Sequence, residues 1–172
     1  MKLLIKINFI IALIVSLTSV SYACNFLKES MGTSIATLGD RYDEFTLSTE
    51  DDYGDETLLV EYDTSYVCDE PLLNETYLKV YVREKKLIGI QIEALEPKNM
   101  NKIYQFAKNN FGLDDEKVKA EEWVGVIDLS FGDSVILYGK IDEPDGIYET
   151  LELTNVEYQD FLIKGDILEI TN

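Results

Sequence analysis

The sequence predicts an α+β fold: an antiparallel sheet of about seven strands built from hairpins, with one mid-chain helix and short N- and C-terminal helices packed on one face. Two observations predict it. Segments in which apolar and polar residues alternate outnumber segments with helical spacing. The clearest helical segment lies between two runs of hairpins instead of alternating with single strands, which favours α+β over α/β.

The first 23 residues have the pattern of an export signal. Two lysines precede an apolar run from Phe9 to Val15, and Ser21 and Ala23 place small side chains where a signal peptidase reads them. A transmembrane helix needs about 20 apolar residues, and no stretch of this chain has them. We therefore expect cleavage after Ala23, leaving residues 24–172 as one domain in the periplasm or outside the cell.

Both cysteines, Cys24 and Cys68, lie in the part expected to be exported. Oxidising compartments favour their pairing. In the chain-entropy model, a disulfide that closes the loop from Cys24 to Cys68 stabilises the fold by roughly 4 kcal/mol. The alternative is a lipoprotein acylated at Cys24. Such signals usually have an aliphatic residue three positions before the cysteine, where this chain has Ser21, followed by bulky Tyr22. The pattern therefore favours the disulfide.

The first half of this domain predicts one short helix and two pairs of strands. Residues 25–31 favour the helix. Phe45–Leu47 and Leu58–Tyr62 read as two strands on either side of an acidic loop. Strict alternation from Tyr77 to Leu95, interrupted by the turn-like residues 84–86, predicts a hairpin.

The second half predicts the mid-chain helix and further strands. Asn99 is expected to cap the helix, and Gly112 is expected to end it. Strands follow near residues 123–131, 135–141 and 147–154. In the second of these strands we expect Val135, Leu137 and Ile141 to share the apolar face. Asn155 is expected to cap a closing helix, and residues 165–172 form a tail whose pattern indicates no definite state.

Charge and composition exclude several classes of function. The chain has 15 Lys and Arg against 33 Asp and Glu, a net charge of −18. Nucleic acids and anionic lipid surfaces require basic patches, so neither is an expected partner; cationic partners would be attracted. The chain has no histidine, which excludes Ser-His-Asp and Cys-His catalysis and His-ligated zinc.

The acidic loop offers the one candidate metal site. Asp51, Asp52, Asp55 and Glu56 cluster around Gly54. Carboxylates on a flexible loop bind calcium, although this spacing does not match the EF-hand series. The alternative interpretation is solvated loop charge, and no other cofactor is expected.

Tyrosines provide the candidate contact surface. Tyr77 and Tyr81 lie on the strand face opposite the apolar residues, and Tyr138 and Tyr148 are expected in similar outward positions. Exposed tyrosines on a sheet suit contact with protein or carbohydrate. The alternative is that helices or loops cover this face.

These observations together predict a small, acidic, exported, non-enzymatic binding protein whose ligand is unidentified. We expect a monomer or a weak dimer. The first alternative is an envelope lipoprotein with the same fold, acylated at Cys24. The second is a glycoside hydrolase that uses two carboxylates, although the sequence does not select a pair. No motif in the chain is specific for one reaction.

Overall fold

The computed structural model describes residues 24–43, 45, 47, 56–97, 101–164 and 167–170. Seven strands form one sheet in the order β4-β5-β6-β3-β2-β1-β7. Six of them pair antiparallel with their neighbours, and β7 joins β1 in parallel. The strands are β1 (Thr57–Asp63), β2 (Thr76–Arg83), β3 (Lys86–Ala94), β4 (Gly125–Asp128), β5 (Ser134–Glu143), β6 (Gly146–Asn155) and β7 (Ile167–Ile170).

The described ranges contain three α-helices, α1 (Ile35–Arg41), α2 (Lys102–Phe111) and α3 (Gln159–Lys164). Short 3-10 helices occupy Phe26–Lys28, Thr64–Tyr66, Pro71–Leu73 and Glu116–Lys119. This arrangement confirms the α+β class. Two further expectations change. The N-terminal helix is a single 3-10 turn, and residues 167–170 of the tail form strand β7.

The β2–β3 hairpin is the centre of the sheet and agrees with the alternation in the sequence. Its turn residues, Glu84 and Lys85, have φ values of 49° and 60°, as tight hairpin turns require. Leu78 pairs with Ile92, and Val80 pairs with Ile90. All four of these side chains are fully buried, and the sheet face that carries them is called the inner face below.

The inner face is covered by the N-terminal segment, α1 and α2. Phe45 was expected on a strand but lies outside any strand. Its ring instead packs 6.0 Å from those of Phe26 and Tyr62. Aromatic packing against the sheet buries this side chain as fully as a strand would. Helix α1, which the sequence did not predict, begins at Ser34, whose side chain accepts a hydrogen bond from the Thr37 N–H.

Helix α3 lies on the opposite, outer face of the sheet, so the expectation that the C-terminal helix packs on the same face as the other helices was wrong. A Cβ at Gly89 would lie 2.7 Å from a methyl carbon of Leu162 and 3.4 Å from the ring of Tyr81. The guanidinium of Arg83 lies 4.4 Å from the centre of the Phe161 ring. The helix can therefore approach the sheet because residue 89 has no side chain. It covers one end of the outer face and leaves the end near Tyr77 open.

A disulfide joins Cys24 to Cys68, as the sequence predicts, and fixes the segment that leads into α1 against the residues after β1. Within the described residues, no helix is both long and apolar enough to cross a membrane. The disulfide is compatible with an extracellular or periplasmic protein. The predicted signal segment, residues 1–23, lies outside the described residues, as does Asn99, the expected cap of α2.

Candidate functional site

The predicted acidic loop does not yield a described metal site. Asp51, Asp52 and Asp55 lie outside the described residues, and Glu56 is exposed at the start of β1. Among the residues that the structure describes, no group of three or more Asp, Glu or Cys side chains is arranged to hold a metal ion.

Three of the four predicted surface tyrosines lie on the outer face. Tyr77 is 44% exposed. Tyr81 is half-buried and donates a hydrogen bond to Gln91 Oε1 at 2.7 Å. Tyr148 is half-buried and donates to Asp145 Oδ2 at 2.7 Å.

The fourth tyrosine, Tyr138, is on the inner face and fully buried, so its placement on the contact surface was wrong. The strand that carries it has apolar residues on both faces, and alternation alone could not fix its orientation. Ile136, Tyr138 and Lys140 point inward, and Val135, Leu137 and Ile141 point to the outer face.

An exposed apolar patch lies on the outer face where β4, β5 and β6 meet. Val126 is 64% exposed and Ile141 is 43% exposed. Tyr148 pairs directly with Ile141, whereas Val126 pairs with Gly139, two residues before Ile141 on the same face. Direct and diagonal neighbours on one face are within side-chain reach. These three residues, Val126, Ile141 and Tyr148, are called the edge patch below.

Gly139 shapes the floor of the edge patch. A Cβ at this position would lie 3.1 Å from Thr150 Oγ1 and 3.6 Å from Val126 Cγ2. Because glycine leaves this space open, the neighbouring side chains come together above the backbone. A larger residue at position 139 would therefore crowd the edge patch.

The surroundings of the edge patch are acidic. From residue 121 to residue 157 the chain has ten Asp or Glu residues and one basic residue, Lys140. That lysine points to the inner face and is 1% exposed. The β4–β6 half of the sheet thus presents negative charge and no exposed cation from its own strands.

A concave feature lies elsewhere, between the N-terminal segment and the start of β5. It is a cleft of about 430 Å³, lined by the buried apolar residues Leu27, Ile136 and Leu153 and by the carboxylates of Glu29 and Asp133. Two carboxylates at one cleft are the feature that the hydrolase alternative requires.

The Glu29 carboxylate is already engaged. Its Oε2 lies 2.6 Å from Arg41 Nη1, and its Oε1 accepts from the Tyr42 hydroxyl at 2.9 Å. Burial and the neighbouring Glu29 raise the pKa of Tyr42 to about 12. With a partner on each oxygen, Glu29 serves to fix α1 to the N-terminal segment, and the cleft does not favour a hydrolase.

A buried polar network joins α2 to the inner face. Glu149 is fully buried. Its carboxylate accepts from the backbone N–H groups of Ile103 and Tyr104, each at 3.2 Å, and from the Tyr138 hydroxyl at 2.7 Å. Burial raises the pKa of Glu149, and these hydrogen bonds oppose the rise. The side chain thus satisfies the first turn of α2, the end of a helix whose N–H groups lack internal partners.

Lys140 completes this network from the neighbouring strand. It is the cross-strand partner of Glu149, and its Nζ lies 3.2 Å from the Ala120 carbonyl oxygen. Burial lowers the pKa of Lys140. The ring of Trp123 stacks on Tyr138 at 6.4 Å, which covers the network with the loop before β4. In the sequence, Glu149 interrupts an apolar face formed by Ile147, Leu151 and Leu153, but no local pattern identifies its partner.

Comparisons with known proteins add no assignment, because no family model, curated protein or solved structure matches this chain.

Proposed function

We propose that this chain is an exported, non-enzymatic binding protein that contacts a protein partner through the edge patch. The observation that carries the proposal is the exposure of Val126 and Ile141 on a sheet whose inner face is covered over its central strands. Exposed apolar groups that lie next to each other commonly mark sites of interaction. Aliphatic side chains beside one tyrosine suit a protein surface better than a sugar, which binds through stacked aromatic rings and polar groups.

Export is supported by the Cys24–Cys68 disulfide together with the signal-like pattern of residues 1–23. The lipoprotein alternative fits the structure less well, because acylation at sulfur would require the Cys24 Sγ atom that bonds Cys68. Mass spectrometry of the N-terminus of the exported chain tests this part. We expect a free amine on Cys24 and a mass two hydrogens below that of the reduced chain. Diacylglycerol on Cys24 would favour the lipoprotein.

Site-specific crosslinking in the native compartment tests the binding role. The photoreactive residue p-benzoylphenylalanine replaces Tyr148 in the edge patch or, as a control, Val156, which is 61% exposed at the other end of β6. We expect a discrete protein adduct from position 148 that is absent from position 156. Ile141→Ser should reduce the yield of the adduct at least fivefold. Equal yields from both positions, or none from position 148, would contradict the proposal.

A further inference from the structure

Strand β4 is an edge of the sheet. It pairs with β5 on one side, and no other described strand lies beyond it. The Leu129 N–H donates to the Ile136 carbonyl at 2.8 Å, and this pair continues the register in which Val126 faces Gly139. In an antiparallel ladder, hydrogen-bonded pairs alternate with pairs that are not bonded to each other. Ile127 therefore directs its backbone groups to β5, as Leu129 does, whereas Val126 and Asp128 direct theirs away from the sheet.

The same residues also carry outer-face side chains. Val126 presents a 64% exposed side chain beside the edge, and Asp128 is exposed two residues later. A strand laid along this edge would bond to the backbone of both residues. Its own outer-face side chains would extend the edge patch. Residues 124–128 contain neither proline nor lysine, the residues that commonly block pairing at a sheet edge.

The charge around the edge selects the partner. Asp128, Glu121 and Glu122 are exposed on or next to β4, and Asp142 and Glu143 are exposed on β5. The only basic residue between positions 121 and 157 is the buried Lys140. A second copy of the chain would bring the same acids together across the edge, which costs free energy. A segment with alternating lysine or arginine residues would place positive charge near these carboxylates.

We propose that β4 is a docking edge to which the partner protein adds an extended, basic segment as an eighth strand. This inference rests on the proposed binding role and names its mode. Main-chain hydrogen bonds to Val126 and Asp128 would hold the segment, and the edge patch together with the acidic surroundings would select apolar and basic side chains.

The probe is an eight-residue peptide that alternates lysine and valine, added to the disulfide-bonded chain. Binding is measured by the fluorescence of Trp123, the only tryptophan, which lies two residues before β4. We expect saturable binding that weakens at least tenfold when salt rises from 0.05 to 0.5 M, because exposed charges are then screened. A peptide alternating glutamate and valine should not bind. Equal binding of the two peptides would overturn the charge argument.

Two changes test strand addition itself. Val126→Pro removes the backbone N–H of residue 126, which points away from β5. Val126→Thr keeps this N–H and has a side chain of nearly the same shape as valine. We expect Val126→Pro to weaken binding at least tenfold and Val126→Thr less than threefold. An N-methylated form of the lysine–valine peptide, which lacks donors on one edge, should also lose tenfold or more. This peptide tests the wild-type chain even if the proline variant fails to fold.

The outcomes separate the two proposals. If Ile141→Ser abolishes crosslinking to the native partner while Val126→Pro and peptide methylation have no effect on peptide binding, the patch binds without strand addition, and this inference is wrong. If none of the changes has an effect, both proposals are wrong. If the wild-type chain sediments as a dimer that Val126→Pro makes monomeric, a second copy occupies the edge, which also overturns the inference.

Discussion

Replacing Glu149 tests the buried network that connects α2 to the sheet. In Glu149→Leu, three donors lose their acceptor: the N–H groups of Ile103 and Tyr104 and the Tyr138 hydroxyl. Each buried donor left unpaired costs about 1–3 kcal/mol. Lys140 also loses its cross-strand carboxylate. The three unpaired donors alone would cost about 3–9 kcal/mol on this scale. Because leucine also removes a carboxylate that is costly to bury, we expect a value near the lower end, a fall of about 4 kcal/mol in the free energy of unfolding.

Glu149→Gln is the matched control. It has nearly the same shape and retains one acceptor oxygen, so some of the three donors keep a partner. We expect a loss of about 2 kcal/mol, roughly half that of the leucine variant. Lys140→Met in the leucine background should recover part of the loss, because it removes the lysine charge that the first change leaves unpaired.

The assay is urea unfolding followed by Trp123 fluorescence and far-ultraviolet circular dichroism. Trp123 stacks on Tyr138, so its emission reports on the network, and the dichroism reports on the whole sheet. A loss of less than 1 kcal/mol in Glu149→Leu would refute the reasoning. Equal losses for leucine and glutamine would show that the negative charge, which both variants remove, matters here and hydrogen bonding does not.

Three other predictions concern separate parts of the fold. Replacing Cys24 and Cys68 with serine should lower the free energy of unfolding by roughly 4 kcal/mol; in urea unfolding, a reductant should reproduce this loss in the wild type and have no effect on the variant. Tyr42→Phe removes the hydrogen bond to Glu29 and should lower the free energy of unfolding by about 1 kcal/mol at pH 8. The pKa of Tyr42 is raised to about 12 in the folded chain, so the stabilisation by its neutral hydroxyl is complete below pH 10 and is lost as the pH rises toward 12. The difference in the free energy of unfolding between wild type and variant should therefore shrink over that range. A constant difference would contradict the raised pKa. Gly39→Ala should raise the free energy of unfolding by about 0.5–1 kcal/mol, measured by thermal unfolding, because alanine favours the helical backbone of α1 more than glycine does. The added Cβ would meet nothing closer than 3.6 Å.

Much of the sheet was predictable because its strands alternate clearly. The β2–β3 hairpin has apolar residues on one face and polar or aromatic residues on the other, so strand positions and orientation followed directly. The end of α2 was also predictable from the sequence, because glycine commonly ends a helix. In the structure Gly112 has a φ of 75°, in the left-handed region that favours glycine. The pairing of the two cysteines followed from their number and from the compartment that the signal-like segment leads us to expect.

Strand β5 shows where this reasoning failed. Its two faces differ little in hydrophobicity, and its inward face includes Lys140, which sequence rules place on the surface. The inward orientation depends on Glu149 from β6 and on the first turn of α2. These partners are distant in sequence, so no local pattern contains them. For the same reason the edge patch was only partly found: Tyr148 was identified, whereas Ile141 was expected on the apolar face and Val126 was not singled out.

Strand β7 gives the sheet a long-range connection with a consequence for when the chain can fold. Thr57 of β1 pairs with Ile167 of β7, so the two residues joined in this ladder are separated by 110 positions. Contacts between residues so far apart form slowly, because a large loop must close first. The last strand of the sheet cannot form until residue 170 has left the ribosome. The sheet therefore stays incomplete while the chain is being made, and β1 keeps one unpaired edge on the side that β7 will occupy.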